Sequence, residues 1–321
     1  MNSTALAFFA GRAGQDQPMS TVIWRIFDGK AGHDNQSRGL ANAILKISSG
    51  ICHELPALTA PRAIMNYLAG SYPPGAGKQT PVFIIGAGHG THLSILCAQR
   101  AYGGKSVVLM KPGLPTSWFD YCLIPDHDDP EDKANIIVTR GALNTITPSA
   151  NHDNTRGLIM VGGPSKHYNW DNEGLMKQIT GITGHNPDIS WAITDSQRTP
   201  VITREALQAF VADNIKYYAH DRTGRDWIPE QLAKTGCVWV TADSVSMIYE
   251  ALTSGARTGI LAVPERSNDR ITAIIKSLDN DGLITTYRDW KRGKFPSPDK
   301  QYLNEAERCA GKLLAKTSPG T

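Results

Sequence analysis

The segment from Val240 to Pro264 constrains the fold more than any other part of the sequence. The apolar, β-prone residues at its start end a strand, and Asp243 and Ser244 are good N-cap residues in front of a helical pattern. Gly255 ends that helix, and a second buried strand follows it. A strand, a helix and a strand in this order predict a βαβ unit, and therefore parallel strands.

The start of this helix offers groups that suit a phosphate or a diphosphate. The free backbone N–H groups, the hydroxyls of Ser244 and Ser246 and the positive end of the helix dipole all favour an anion. Glu250 follows on the same stripe of the helix and could accept hydrogen bonds from sugar hydroxyls. The alternative is an ordinary capped helix with a solvated glutamate.

Strand and helix patterns alternate almost throughout the chain, which is typical of α/β proteins. We expect a loose tail over residues 1–20, a first βαβ domain over 21–150 and a second over 157–290. The linker is expected within 141–156, which is rich in Asn, Thr, Ser, Pro and Asp, and an amphipathic helix over 300–316 is expected to pack back on the body. Two such domains would face each other across a cleft, where ligands bind at the carboxyl ends of the strands.

Four polar or glycine-rich turns follow predicted strands. They cover residues 28–37, 86–92, 162–166 and 241–246. Because glycine permits a close approach of the backbone to a ligand, these four turns are expected to line the cleft.

The first turn carries a candidate general base. We expect a turn over Asp28 to Gly32 and a helix that starts near Asn35. The imidazole of His33 could act as the base, and Asp28 could orient it or be the base itself. Alternatively, these residues cap the helix and bond the backbone of the turn.

The second turn does not fit a nicotinamide dinucleotide fingerprint. After Gly86 and Gly88 the third glycine of the motif is replaced by Thr91, and the acidic residue expected about 20 positions on is replaced by Lys111. A further turn carries an arginine. Arg198 follows a predicted strand and precedes a helix predicted over 200–213. Its guanidinium could clamp a phosphate in fork geometry, or it could pair with a surface carboxylate.

Composition excludes several classes of protein. A net charge of +3, without aromatic residues interleaved in a basic stripe, argues against a nucleic-acid partner. Five scattered cysteines without CxxC spacing favour a reducing compartment. No apolar run reaches the ~18 residues that span a bilayer. A cytoplasmic location is therefore expected. The basic cluster within 288–294 could touch an anionic membrane or an acidic substrate, or be a solvated loop. His89 and His92 with residues 126–128 could be assembled into a metal site, but their spacing does not demand one.

These motifs together resemble the mitochondrial-fission Elm-type family, over roughly residues 22–290. The resemblance rests on DGKAGHDNQSRGLA, IGAG, FDYCLIPDHD, VGGPSKHYNW, TDSQRTP and VTADSVSMIYEA. The chain departs from the family pattern at His89 and Gln197, where arginine is usual or frequent. Most members of this family are bacterial and are regarded as glycosyltransferases.

The resemblance implies a GT-B-like fold of two Rossmann-like domains facing a cleft, with a nucleotide-sugar donor on the C-terminal domain and the acceptor on the N-terminal domain. The expected donor-binding residues are Gly162, Gly163, Ser165, Arg198, Ser244, Ser246 and Glu250. The expected acceptor-side loop consists of Lys30, Gly32, Asn35, Gly86 and Gly88, and the expected catalytic residues are His33 and Asp28.

The expected function is a metal-independent glycosyltransferase that needs no cofactor and moves a sugar from a nucleotide-sugar to a cell-envelope acceptor, such as the lipopolysaccharide core. The expected partners are the nucleotide-sugar, a glycolipid or lipopolysaccharide acceptor, and the inner membrane as a peripheral contact. The alternative is a non-catalytic adaptor of the mitochondrial-fission type that keeps the fold without the chemistry.

Overall fold

The computed structural model describes residues 20–266, 270–294 and 303–317, so the tail expected over residues 1–20 lies almost wholly outside the described residues. Two six-stranded parallel sheets follow each other along the chain. The first sheet contains β1 (Thr21–Phe27), β2 (Gly50–Pro56), β3 (Phe83–Ala87), β4 (Lys105–Leu109), β5 (Tyr121–Pro125) and β6 (Ile136–Thr139). The second contains β7 (Asp153–Met160), β8 (Ser190–Thr194), β9 (Ile215–Tyr218), β10 (Thr235–Thr241), β11 (Arg257–Leu261) and β12 (Thr285–Thr286).

Helices connect the strands and cover the sheets. They are α1 (Ala31–Ser48), α2 (Ala60–Leu68), α3 (His92–Tyr102), α4 (Asn172–His185), α5 (Val201–Ala209), α6 (Trp227–Leu232), α7 (Val245–Ser254), α8 (Arg270–Asn280), α9 (Tyr287–Trp290) and α10 (Glu305–Thr317). The central strands are continuous apolar runs because helices bury both of their faces.

The strand orders give each sheet one topological switch point. In the first sheet the order is β2-β1-β3-β4-β5-β6, and in the second it is β9-β8-β7-β10-β11-β12. The chain therefore reverses its direction of winding between β1 and β3 and between β7 and β10. Doubly wound sheets bind ligands at such switch points, outside the carboxyl ends of the strands. The loops after these four strands are the candidate site.

The last helix returns to the first sheet. Cys309, Ala310 and Leu313 of α10 are buried in the same apolar cluster as Leu40 and Ile44 of α1. We call the first sheet with its helices and α10 the first lobe, and residues 153–294 the second lobe.

Several elements differ from the sequence prediction. Helix α1 starts at Ala31 and not near Asn35, because the extended Lys30 is its N-cap residue and the Lys30 carbonyl accepts a helical hydrogen bond from the Asp34 N–H at 2.9 Å. Helix α5 ends at Ala209 and not at residue 213. Strand β7 begins at Asp153, inside the expected linker, with a polar and exposed first half that carries no apolar signal.

No helix in the described ranges is long and apolar enough to cross a membrane.

Candidate functional site

Helix α7 opens at the switch point of the second sheet with an uncapped N-terminus. Ser244 is its N-cap residue, but the Ser244 side chain accepts no hydrogen bond from the N–H groups of the first turn. The start of the helix is therefore where the sequence predicted it, whereas side-chain capping by Asp243 or Ser244 is wrong. Ser244 is buried and Ser246 is exposed. The free N–H groups and the positive end of the helix dipole make this end suited to an anion.

The carboxylate of Asp243 accepts hydrogen bonds from the neighbouring loops and not from the start of α7. Its side chain is fully buried, and Oδ2 accepts hydrogen bonds from the Gly163 N–H at 2.9 Å and from Arg198 Nη2 at 2.8 Å. Arg198 Nη1 also donates to the Gly163 carbonyl at 2.7 Å. Arg198 therefore pairs with a buried carboxylate within the site and not with one on the surface, and it joins the loops that follow β7, β8 and β10.

Asp243 also keeps one buried acceptor free. Its Oδ1 has no hydrogen-bond partner among the described residues. A buried carboxylate oxygen without a donor is costly, so a donor from a bound ligand would be favourable there. The sequence placed Asp243 in the right turn but gave it only a capping role.

The turn after β7 is tightly held. The Gly162 N–H donates to Thr241 Oγ1 at 2.8 Å, and a side chain at Gly162 would strike the Asp243 carboxylate. Ser165 Oγ accepts from the N–H groups of His167 and Tyr168, both at 3.2 Å. Ser165 thus stabilises its own turn, and the glycines allow the three loops to pack closely.

The first lobe places a His–Asp pair at its own switch point. His33 Nδ1 lies 2.9 Å from Asp28 Oδ2, and Asp28 Oδ1 accepts from the Lys30 N–H at 3.2 Å. Burial raises the pKa of Asp28, but the bonds from His33 and Lys30 outweigh it and hold that pKa below its ordinary value. An ionised Asp28 fixes the imidazole through Nδ1 and leaves Nε2 as the nitrogen that can exchange a proton.

Gly88 lets the imidazole lie against the backbone of the second turn. Its φ of +77° is in the left-handed region, and a side chain there would overlap the His33 ring. The other residues of the expected acceptor-side loop are dispersed: Gly32 and Asn35 lie within α1, and Gly86 lies in β3 against Ile95. The residues expected on the acceptor side therefore come from two separate segments of the first lobe.

A second histidine cluster lies beside this pair. His92 is 3% exposed, its Nε2 has no partner in the described part of the chain, and its ring centroid is 5.3 Å from that of His89. Burial, followed by the charges of His89 and His33, lowers the pKa of His92 to about 4. Within the described residues, no group of three or more His, Cys, Asp or Glu side chains is arranged to hold a metal ion.

A hydrogen-bond relay joins the two lobes next to both switch points. Asn35 Nδ2 donates to Glu250 Oε1 at 2.7 Å, and Thr145 Oγ1 donates to Asn35 Oδ1 at 2.9 Å. Burial raises the pKa of Glu250 to about 7, although the bond from Asn35 acts in the opposite direction. Ser246 lies one turn before Glu250, about 6 Å along α7. The start of α7 therefore lies on one side of the Asn35–Glu250 contact, and the Asp28–His33 pair lies on the other.

A cavity that sequence reasoning missed lies at the carboxyl ends of β8 and β9. Its volume is about 350 Å³, and the Asp195 carboxylate at its base is fully buried, 2.9 Å from Arg204 Nε and 2.7 Å from the N–H of His220. Burial, followed by the charge of Asp195, raises the pKa of Tyr217 to about 12. Asp195 lines this cavity, and Arg198, which bonds Asp243, follows it three residues later in the same loop. Its only sequence signal was Asp195 at a strand end.

The basic cluster within 288–294 is partly neutralised. Arg292 Nη1 lies 3.7 Å and Lys294 Nζ 3.8 Å from the carboxylate of Asp289. This pairing favours the interpretation of the cluster as a loop with local ion pairs.

Comparison with known proteins agrees with the resemblance found in the sequence. The family model described as Mitochondrial fission ELM1 matches residues 31–317. The chain belongs to this family. Uncharacterized protein RP120 of Rickettsia prowazekii is 23% identical over 344 residues, which cover 90% of this chain and 96% of that protein. Mitochondrial fission protein ELM1 of Arabidopsis thaliana is 24% identical over 284 residues, which cover 74% of this chain and 65% of that protein.

Solved structures with the same fold include UDP-GlcNAc 2-epimerases. The UDP-GlcNAc 2-epimerase of Methanocaldococcus jannaschii has a TM-score of 0.56 at 11% identity, with 92% of this chain and 100% of that chain covered. The S. aureus MnaA–UDP structure has a TM-score of 0.52 at 12% identity, with 92% and 95% covered. The Neisseria meningitidis epimerase bound to UDP-GlcNAc has a TM-score of 0.50 at 9% identity, with 92% and 100% covered. These likenesses confirm the predicted GT-B-like fold of this ELM1-family chain.

Proposed function

We propose that this protein is a glycosyltransferase that moves a sugar from a nucleotide-sugar to a hydroxyl of a cell-envelope acceptor, such as the lipopolysaccharide core. The observation that carries the proposal is the uncapped start of α7 at one switch point, with the Asp28–His33 pair at the other and the Asn35–Glu250 contact between them. An anion site and a positioned base on opposite lobes are the two groups that such a transfer requires.

The donor diphosphate would bind at the start of α7. The free N–H groups and the hydroxyls of Ser244 and Ser246 would donate hydrogen bonds to its phosphate oxygens, and Gly162 and Gly163 would allow its close approach. Glu250 would accept hydrogen bonds from ribose or sugar hydroxyls in place of its present bond from Asn35. Structures of the same fold that contain UDP or UDP-GlcNAc support a nucleotide-sugar as the ligand class.

The chemistry would be a proton-coupled displacement. His33 Nε2 takes the proton of the acceptor hydroxyl while the acceptor oxygen bonds to the anomeric carbon. The bond from that carbon to the diphosphate oxygen breaks, and its electron pair leaves with the nucleoside diphosphate. Asp28 holds the imidazolium that forms, and the N-terminus of α7 stabilises the charge on the leaving group. These steps use side chains and backbone dipoles of this chain and no cofactor.

Thermal unfolding against a panel of nucleotides and nucleotide-sugars tests the donor site. A ligand at 100 times its dissociation constant adds about 2.7 kcal/mol to the stability of the folded state. The parent should be stabilised by one nucleotide family, whereas Ser244→Ala and Glu250→Ala should lose most of that stabilisation. Ser190→Ala is the matched control, because Ser190 is exposed at the opposite, amino end of β8.

The same experiment separates the proposal from its alternatives. If no nucleotide on the panel raises the melting temperature of the parent, the transferase proposal is rejected and a non-catalytic adaptor becomes the better account. If a nucleotide-sugar binds and its sugar is converted without any acceptor while it stays attached to the nucleotide, the protein is an epimerase. Release of the free nucleoside diphosphate that depends on an added acceptor and on His33 supports transfer.

A further inference from the structure

Helix α2 turns its apolar side chains toward solvent. Ile64, Met65 and Leu68 are 53%, 68% and 74% exposed, and Ala63 is the helix residue that is buried. A surface helix of a globular protein usually does the opposite and directs its large apolar residues into the core. We call Ile64, Met65 and Leu68 the α2 face. An apolar group of this kind on a surface marks a contact with a partner or a membrane.

The stretch of chain that contains the α2 face carries positive but no negative side chains. Between Glu54 and Asp120 the sequence contains no acidic residue. Arg62, Lys78 and Arg100 are exposed there. None of these three forms an ion pair with any described residue.

One of these cations lies directly beside the apolar side chains. The guanidinium carbon of Arg100 is 5.0 Å from the centre of the Tyr67 ring, and Tyr67 is the residue before Leu68 on α2. Apolar side chains and unpaired cations on one surface complement a surface that is both apolar and anionic. A bilayer with acidic headgroups has both properties.

Helix α2 starts next to the candidate site and runs back along the sheet from there. The chain enters α2 from the carboxyl end of β2, where the Ala57 N–H bonds the Phe27 carbonyl and the Leu58 N–H bonds Ser94 Oγ at the start of α3. Trp118, which is 53% exposed, lies on the same side of the sheet, because the adjacent Phe119 packs against His92. Tryptophan favours the boundary between headgroups and acyl chains.

We propose that α2 is a peripheral membrane anchor. Ile64, Met65 and Leu68 enter the boundary between the headgroups and the acyl chains, and Arg62, Lys78 and Arg100 pair with anionic lipid phosphates. The anchor does not depend on the proposed function, since binding to lipid involves neither the start of α7 nor His33.

Helix α5 offers a matched control surface. Val201 and Ile202 are 67% and 62% exposed, close to the values on α2. Their helix carries Glu205 three residues after Ile202, and the guanidinium of Arg204 is paired with Asp195. The apolar exposure is therefore similar on the two helices, whereas the free positive charge is not.

Co-sedimentation with vesicles tests the anchor on the full chain. The probes are vesicles of an equimolar mixture of phosphatidylglycerol and phosphatidylcholine, and vesicles of phosphatidylcholine alone. The parent should bind the anionic vesicles and lose most of that binding in high salt, since salt screens exposed charges. Met65→Ser with Leu68→Ser should lower the partition coefficient roughly tenfold or more, and Val201→Ser with Ile202→Ser should leave it unchanged. Arg62→Gln with Lys78→Gln should weaken binding to the anionic vesicles.

Three results would overturn the anchor. The first is a parent that does not bind anionic vesicles at low salt, and the second is an α2 variant that binds like the parent or no worse than the α5 variant. The third is a lipid-free dimer of the parent that becomes monomeric on Leu68→Ser, which would assign the α2 face to a second copy of the chain. Because these substitutions lie on the surface, melting temperatures close to the parent's should show that the variants fold. The nucleotide-dependent shift in melting temperature should be the same in every variant.

Discussion

The carboxyl group of Glu250 should make the protein less stable as the pH rises toward neutrality. Burial raises its pKa from 4.5 to about 7 in the folded state. Below about pH 4.5 the group is protonated in both the folded and the unfolded state, so it has no effect on their balance. Between that pH and about 7 only the folded state keeps the proton, and the free energy of unfolding falls as the pH rises. The whole displacement corresponds to roughly 3 kcal/mol.

Glu250→Gln removes this titration and keeps the contact between the lobes. The amide oxygen of glutamine can still accept the hydrogen bond that Asn35 Nδ2 donates at 2.7 Å. We therefore expect parent and variant to be equally stable near pH 4.5. Above pH 7 the variant should be more stable by up to roughly 3 kcal/mol, or about 4–5 °C in melting temperature for a chain of this length.

Urea or thermal unfolding at a series of pH values measures the effect. The quantity of interest is the difference between variant and parent at each pH, because the other titrating groups are shared and cancel. Glu173→Gln is the control: that side chain is 85% exposed on α4, and its substitution should give a difference that does not change with pH. If the Glu250→Gln difference is equally flat from acid to alkaline pH, the argument from burial is refuted.

A second substitution checks the sign of the hydrogen bond. The bond from Asn35 lowers the pKa of Glu250 against the effect of burial. Asn35→Ala should therefore move the pH at which Glu250 titrates upward. A downward movement would show that Asn35 favours the neutral form of the carboxyl group, contrary to the reasoning here.

Three further perturbations test the loops around the site. Gly88→Ala should destabilise the fold by roughly 1–3 kcal/mol, because φ is positive there and the new side chain would overlap the His33 ring. Gly311→Ala, within α10 and in open space, should stabilise the fold by up to about 1 kcal/mol. Thermal unfolding compares the two variants. Arg198→Ala should cost about 2 kcal/mol by leaving a buried carboxylate short of a donor, and adding Asp243→Asn should recover part of that loss; no recovery would contradict the pairing. His92→Phe should resist acid unfolding better than the parent, because the parent loses stability as the pH falls from about 6.5 to about 4; equal acid midpoints would count against it.

The strands that the sequence predicted well are those with helices on both faces. The runs that became β1, β3 and β10 are mostly apolar, with Arg25 as the charged exception in β1, and this pattern is visible without any tertiary contact. Strands β2 and β9 were missed because they lie near or at the edges of their sheets, and their sequences are short or polar. Such strands are fixed by backbone pairing with a neighbour and not by a pattern of their own.

The candidate site divides in the same way. Glycines, serines and acids directly after apolar runs marked the turns at the carboxyl ends of the strands, so the sequence predicted a ligand site that includes Asp28, His33, Gly163 and Ser244. The sequence could not predict that Asp243 pairs with Arg198, because the two residues are 45 positions apart. In the structure the carboxylate bonds Arg198 and not the N-terminus of α7.

By itself, the sequence determined the alternation of strands and helices, the parallel sheets and the turns that carry the polar groups, since apolar periodicity and turn chemistry are local properties. Only the tertiary structure decided which groups meet. Asn35 and Glu250 are 215 positions apart, and their contact exists because α1 and α7 converge where the lobes touch. The same burial sets the pKa of Glu250, because the cost of removing a charge from water depends on everything packed around it and not on its neighbours in the chain.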